Sequence, residues 1–281
     1  MRFTLLTNEQ RRQFYDDGYL IVRKALDHDM VSRLIEAGDR LVASRDETDR
    51  QRSNGGRYDG FRNVIAKDDA FLPLLAHERT VPLIVQLFGP RIHLATSHLI
   101  YRQPDPADTP PQRRLPGWHR DISGSPEDVG HAWLPRMEMK CAYYLTDLTE
   151  KNSGMTLLSP KSNHLKTPLV INAETGDPEK VLEASLQPGD AVFFENRTWH
   201  AGGANFSGRT RKCVMFGYSY MWVRPMDYLV QSPELPEKVD DIGKQLLGGL
   251  KDPKGNFVPG GLHHPLTEWC KEHGVKYTPE A

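Results

Sequence analysis

His119-Arg120-Asp121 is the one His-x-Asp in the chain, and its residue types and spacing suit a metal cation. In an extended segment, residues i and i+2 project to the same face, so His119 and Asp121 can reach one ion while Arg120 points away. A pair this short arises by chance about once in a chain with this many histidines and acids, so it carries weight only with a partner. The candidate partner is His200, which follows the β-prone run Ala191–Glu195 and precedes Ala201-Gly202-Gly203, small residues that let a ligand approach. Two imidazoles and one carboxylate on one face of a cation leave coordination positions open, the arrangement of non-haem iron(II) oxygenases.

A lone histidine is more often a satisfied core or surface residue, and Arg211, eleven places after His200, is what raises this one above that background. Arg211 opens a further β-prone run, Cys213–Trp222, expected to pair antiparallel with the strand before His200. An arginine directed inward there needs an anion, and a dicarboxylate lying between metal and guanidinium would supply one through a bidentate pair. The competing reading is a solvent-facing arginine like its neighbours Arg209 and Lys212. The other histidines show no comparable pairing, and the adjacent His263 and His264 are read as structural because neighbouring side chains diverge. No His-Glu-x-x-His, no Gly-rich phosphate loop and no Gly-x-Ser-x-Gly elbow is present.

The elements that must hold these residues are short. Thr7 and Gln10 form a capping box that opens a helix through Tyr15, with Gly18 as its terminator. Tyr19–Val22 then reads as a strand, Asp29–Val42 as an amphipathic helix, and Thr80–Phe88 as a helix closed by Gly89. The polar, Gly-rich stretch 45–60 is expected to be a mobile loop. From Ile92 onward β-prone runs recur (Ile92–Tyr101, Met137–Leu145, Thr156–Leu158, Ala191–Glu195, Cys213–Trp222), separated by turn residues. The segment Arg102–Gly117 holds five prolines and is a loop. This pattern predicts one domain over 1–281: a helical support at 7–90, a mostly β core at about 91–224, and a capping segment at 225–281.

Composition narrows the function further. With 281 residues, 38% hydrophobic and a net charge of −1, the chain can bury a full core and has no global charge reason to bind nucleic acid or an anionic membrane. No run approaches the roughly 18 apolar residues of a membrane span. Cys141, Cys213 and Cys270 are spaced too widely for a zinc knuckle and read as reduced thiols, which makes the cytoplasm the expected compartment.

Four ordered stretches, Phe14–Tyr19, His119-Arg120-Asp121, Asn152-Ser153-Gly154 through Ser159–His164, and Leu186–Asp190 leading to His200 and Arg211, resemble the phytanoyl-CoA dioxygenase family. Lys161 and Ser153 depart from its usual loop residues, and the Pro-rich loop at 104–116 stands beside the presumed entrance. The resemblance implies a double-stranded β-helix (jelly roll) with flanking helices. It implies iron(II) on His119, Asp121 and His200, with 2-oxoglutarate and dioxygen as cosubstrates and Arg211 on the distal carboxylate. By position it also places Ser97, Tyr101 and Lys140 on strands lining the cosubstrate pocket. Asp121 favours hydroxylation over halogenation, since related halogenases carry a small residue there. Arg113, Arg114, Arg120 and Lys140, if inward, point to a small anionic or zwitterionic substrate such as an amino acid derivative or a phosphonate. Trp118, Trp133 and Trp222 would instead suit a tailoring oxygenase of apolar natural products. Two rival classes are a 2-oxoglutarate-independent cupin-type metalloenzyme, which has no need of Arg211, and a non-catalytic jelly-roll binding protein.

Overall fold

The computed structural model describes residues 5–122, 125–252, 254–256 and 263–277. Helix α1 (Asn8–Asp17) starts at the predicted capping box: the Thr7 hydroxyl accepts from the Gln10 amide at 3.1 Å, and the Gln10 side chain accepts from the Thr7 amide at 3.0 Å. It stops at Gly18, whose φ of 80° lies in the left-handed region open to glycine. Strand β1 (Tyr19–Val22) and helix α2 (His28–Ala43, capped by Asp27) follow. Next come β2 (Arg50–Ser53), β3 (Tyr58–Phe61), α3 (Val81–Phe88) and the long β4 (Ile92–Arg102). A short α4 (Ser125–Val129) precedes β5 (Glu138–Tyr144), β6 (Thr156–Leu158), β7 (Ala191–Glu195), β8 (His200–Gly202) and β9 (Arg211–Tyr220). Helices α5 (Asp241–Leu246) and α6 (Pro265–Glu272) close the chain.

Seven strands form one antiparallel sheet in the order β1-β7-β5-β9-β4-β3-β2, and β6 pairs with β8 in a smaller one. Isolated bridges, among them His119↔His200 and Leu158↔Leu182, extend the smaller sheet. The two sheets make the jelly-roll core that the family resemblance implies, with helices covering the outer face of the large sheet. Strand alternation sorts the side chains. On β5, Met139, Cys141 and Tyr143 join Phe14, Leu34 and Ile84 in the main core, while Ala142 and Tyr144 join Leu158, Leu186 and Phe194 between the sheets. Every β4 residue is buried because both of its faces are covered.

Three expectations change. Residues 45–60 are a loop only up to 49: from Arg50, β2 and β3 form an antiparallel hairpin on the edge of the large sheet, turning at Gly55 and Gly56, both with positive φ. Its charges are cross-strand partners rather than a sign of disorder. Arg50 clamps both oxygens of Asp59 at 3.0 and 2.8 Å, and a charged strand suits an exposed edge. The last large strand begins at Arg211 and pairs with β4 and β5 rather than with β7, because β5 lies between them. The tail after Trp222 also does more than cap. Asp227, whose side chain is fully buried, accepts from the Ser97 amide at 2.8 Å, the Asn63 amide at 3.2 Å and Arg62 at 3.0 Å. It thereby ties the tail to β4 just past the bulge between Leu94 and Thr96. Among the described residues, no helix is long and apolar enough to cross a membrane.

Candidate metal centre

His119 and His200 lie opposite each other on an antiparallel bridge, and their rings stand 4.2 Å apart between centroids. Asp121 follows two residues on, where the chain leaves the bridge through Ile122 at φ 56°. Its Oδ1 is 3.8 Å from His200 Nε2, and one ligand atom from each of the three residues lies within 4.8 Å of the others. The imidazoles are held in one orientation. His119 Nδ1 meets the Gly117 carbonyl at 2.7 Å and His200 Nδ1 meets that of Thr198 at 3.0 Å. A carbonyl can only accept, so in the neutral ring Nδ1 carries the proton and Nε2 keeps its lone pair. Burial pushes His200 down to about 4, against the opposing pull of Asp121, so it is neutral near pH 7. Burial would raise the Asp121 carboxyl, yet Lys140 and the two histidines outweigh it and hold it below the usual range. Its Oδ2 is buried with no hydrogen-bond partner. Two oriented imidazoles and a charged carboxylate with an unpartnered oxygen fit a divalent transition-metal cation.

The three residues open onto a cavity of about 390 Å³ between the sheets. Arg211 lies in its wall, buried, with Nε donating to the Gly154 carbonyl at 2.9 Å and Nη1 without any partner. Gly154 stands at φ +84°, and a Cβ there would press on Asn205 and on the Arg211 Cβ, so the glycine both makes the turn and leaves room for the Arg211 side chain at its base. Arg211 is directly paired with Arg102 across β4 and β9. Arg102 is buried too, and its Nη2 holds both Asp105 oxygens at 2.7 and 2.8 Å while its Nε and Nη1 have no partner. Two adjacent guanidiniums with one carboxylate between them leave a net positive end to the cavity. A dicarboxylate such as 2-oxoglutarate fits that charge deficit, with its far carboxylate on Arg211.

Lys140 is inward, as a wall residue, but its anion is intramolecular: Nζ donates to Glu138 at 2.7 Å and to Thr96 at 3.0 Å. Gly217 makes this possible, since a Cβ there would sit against all three of those groups. Ser97 and Tyr101 are not in the cavity. The bulge at Ala95 shifts the strand's parity, so Thr96, His98, Ile100 and Arg102 face the site. Ser97 accepts from the Ile65 amide at 3.3 Å, and Tyr101 donates to Asp39 at 2.7 Å beneath α2. Sequence reasoning missed Tyr58, Arg62, His98, Arg102, Thr156 and Met226, all of which line the cavity. The Tyr58 hydroxyl lies 3.0 Å from His98 Nε2. The alternation of β4 once the bulge is known would have found His98 and Arg102, whereas nothing in the tail's sequence marks Met226.

The phytanoyl-CoA dioxygenase (PhyH) family matches residues 14–213. The chain therefore belongs to that family, whose class is that of iron(II)- and 2-oxoglutarate-dependent dioxygenases. Dioxygenase af480 of Aspergillus fumigatus is 27% identical over 146 residues, 51% of this chain and 46% of the relative. Dioxygenase trt7 of Aspergillus terreus is 25% identical over 227 residues, 74% of this chain and 72% of the relative. The chain thus spans less than half the length of af480. Among solved structures, SnoN, an alpha ketoglutarate dependent epimerase of nogalamycin biosynthesis, superposes with a TM-score of 0.61 at 21% identity, covering 80% of this chain and 86% of SnoN. HygX of Streptomyces hygroscopicus, solved with nickel, 2-oxoglutarate and hygromycin B, gives 0.60 at 16% identity over 78% of this chain and 90% of HygX. At those identities the likeness is one of fold.

Proposed function

We propose that this protein is a non-haem iron(II)- and 2-oxoglutarate-dependent dioxygenase that oxidises an uncharged, largely apolar natural product, with hydroxylation as the expected outcome. The observation that carries the first part is the unpartnered Nη1 of the buried Arg211 in the same cavity as His119, Asp121 and His200. A cupin-type enzyme without the cosubstrate has no use for such a group, and a binding module has none for the oriented imidazoles.

His119, Asp121 and His200 would hold the iron, and Arg211 the far carboxylate of 2-oxoglutarate. When bound, the pair would supply the oxidising chemistry: one atom of dioxygen would enter succinate as 2-oxoglutarate loses carbon dioxide, and the other would go to the substrate. The chain's own contribution is arrangement. The bridge between His119 and His200 fixes two ligands before any metal arrives, and the low proton affinity of His200 keeps its lone pair available near pH 7. Ile100, Leu115, Pro116, Ile122, Met215 and Met226 form an apolar wall that limits water at the reacting carbon. Tyr58 and His98 offer it one polar contact.

Charge accounting supports an uncharged substrate over the anionic one first inferred. Lys140 is paired with Glu138, Arg62 with Asp227 and Arg102 with Asp105. Arg114 is paired with Asp177 outside the cavity, and Arg120 is spent on backbone carbonyls. Arg211 and Arg120 have no acid partner among the described residues: the cosubstrate matches the first, and three backbone carbonyls solvate the second. Trp133 and Trp222 are exposed and do not make the apolar surface, which comes from the aliphatic wall instead. A second cavity of about 600 Å³ shares Tyr58, Leu115 and Pro116 with the first and reaches the β2–β3 hairpin, leaving room for a substrate larger than an amino acid. The solved relatives that act in nogalamycin biosynthesis or hold hygromycin B agree with a bulky substrate.

The test is succinate release from 2-oxoglutarate by iron-loaded protein against two panels, polycyclic or terpenoid compounds and small zwitterions or phosphonates. Stimulation by the first panel alone is expected. Stimulation by the second alone would return the substrate to the anionic class.

A further inference from the structure

We infer that Arg120, the residue between the two ligands of the His-x-Asp, is a positioning residue that sets the place of the Asp121 carboxylate. This inference rests on the metal reading above. The two histidines are fixed to each other by their backbone bridge, but Asp121 lies beyond it, in a bend with no regular hydrogen-bond ladder. What holds the chain there is the side chain pointing the other way. Arg120 is 4% exposed, and its Nε donates to the Arg197 carbonyl at 2.8 Å. Its Nη2 donates to the carbonyls of Ser162 and Leu165, each at 2.9 Å, and Nη1 lies 3.4 Å from His131 Nδ1. The guanidinium also lies over the Trp199 ring, 5.2 Å from its centroid.

All of these partners but His131 belong to the two segments that carry or brace the other ligand. Arg197 and Trp199 lead directly into His200, and Ser162 binds that same run, its hydroxyl accepting from the Trp199 amide at 2.8 Å. A rigid, planar fork reaching three carbonyls and one aromatic face fixes both the depth and the rotation of residue 120. Because Asp121 is the next residue along the backbone, fixing Arg120 fixes the point from which its carboxylate enters the site. Lysine at 120 keeps the charge but cannot reach three carbonyls at once or lie flat on Trp199.

The test is anaerobic calorimetric titration of cobalt(II) into the metal-free full chain, as wild type, Arg120→Lys, Asp121→Ala and the double variant. Arg120→Lys is expected to weaken cobalt binding by roughly 10–100-fold, the usual cost of losing a group that orients a ligand. In the Asp121→Ala background the same change should leave the dissociation constant within about twofold, because the carboxylate it positions is gone. An equal loss in both backgrounds, or wild-type affinity in Arg120→Lys, overturns the inference. If Arg120→Lys does not fold, Trp199→Leu removes the stacking face alone and should show the same dependence on Asp121, at a smaller factor. Wild-type protein that binds no cobalt overturns the metal reading itself, and this inference with it.

Discussion

The backbones of His119 and His200 exchange both of their hydrogen bonds, His119 amide to His200 carbonyl and His200 amide to His119 carbonyl, each at 2.9 Å. Residues that pair in this way present their side chains on one side of the bridge, which is why two imidazoles 81 positions apart in sequence lie with centroids 4.2 Å apart, their planes tilted by 54°. The ligand pair is therefore part of the sheet, not of the loops around it, and the consequences can be measured one residue at a time.

Arg211 is expected to act on the cosubstrate and not on the metal. Arg211→Ala should raise the 2-oxoglutarate dissociation constant by roughly 10–100-fold, the equivalent of one charge-assisted hydrogen bond at ~1.5–3 kcal/mol. Metal affinity without 2-oxoglutarate should stay within about twofold of wild type. Calorimetry on the metal-loaded protein checks both, and a large loss of metal affinity would place Arg211 in the fold and not in the binding of 2-oxoglutarate.

Gly217→Ala should destabilise the protein by about 1–3 kcal/mol, because a methyl there overpacks against Thr96, Glu138 and Lys140. The buried pair has little room to move, since Lys140 Nζ is bonded to both of the others. A denaturant melt of the metal-free protein reads the change. An unchanged midpoint would mean that the ion pair is looser than its geometry indicates.

Acid should destabilise the metal-free protein through its buried histidines, partly offset by Glu138, whose carboxyl burial pushes up to about 7. His93, His98 and His200 all have proton affinities lowered from the usual histidine value of 6.5, chiefly by burial. Arg62, Lys140 and Arg211 push His98 down further. At these three rings the unfolded chain binds more protons than the folded one below 6.5, so their contribution is complete above that pH and falls as the pH drops through it, while Glu138 alone contributes in the opposite direction. By pH 5 the loss is at most about 2 kcal/mol per histidine. Thermal midpoints in metal-free buffer should fall between pH 7 and pH 5, and a flat or rising midpoint would show that these rings titrate normally.

Much of this was legible in the sequence, and the exceptions have physical causes. The capping box at Thr7 and the β-prone runs give their own elements, because local chemistry decides them. His119, Asp121, His200 and Arg211 stand out by residue type and order, and the structure places all four on one cavity. Ser97 and Tyr101 were misplaced because one bulge residue, Ala95, reverses the facing of everything after it, and sequence does not mark it. The β2–β3 hairpin reads as a loop because an edge strand carries the same charges and glycines that a loop does. Glu138 was invisible as the partner of Lys140, since an acid and a base at i and i+2 are seen to pair only once the strand and its inward face are known.

The most direct test of the central claim is an anaerobic titration of iron(II) and 2-oxoglutarate into the metal-free protein, followed in the visible range. One iron per chain is expected, with a weak charge-transfer band that needs both iron and 2-oxoglutarate and that shifts to higher 2-oxoglutarate in Arg211→Ala. Iron bound with no band at saturating 2-oxoglutarate would contradict the cosubstrate assignment, and no bound iron would contradict the metal centre.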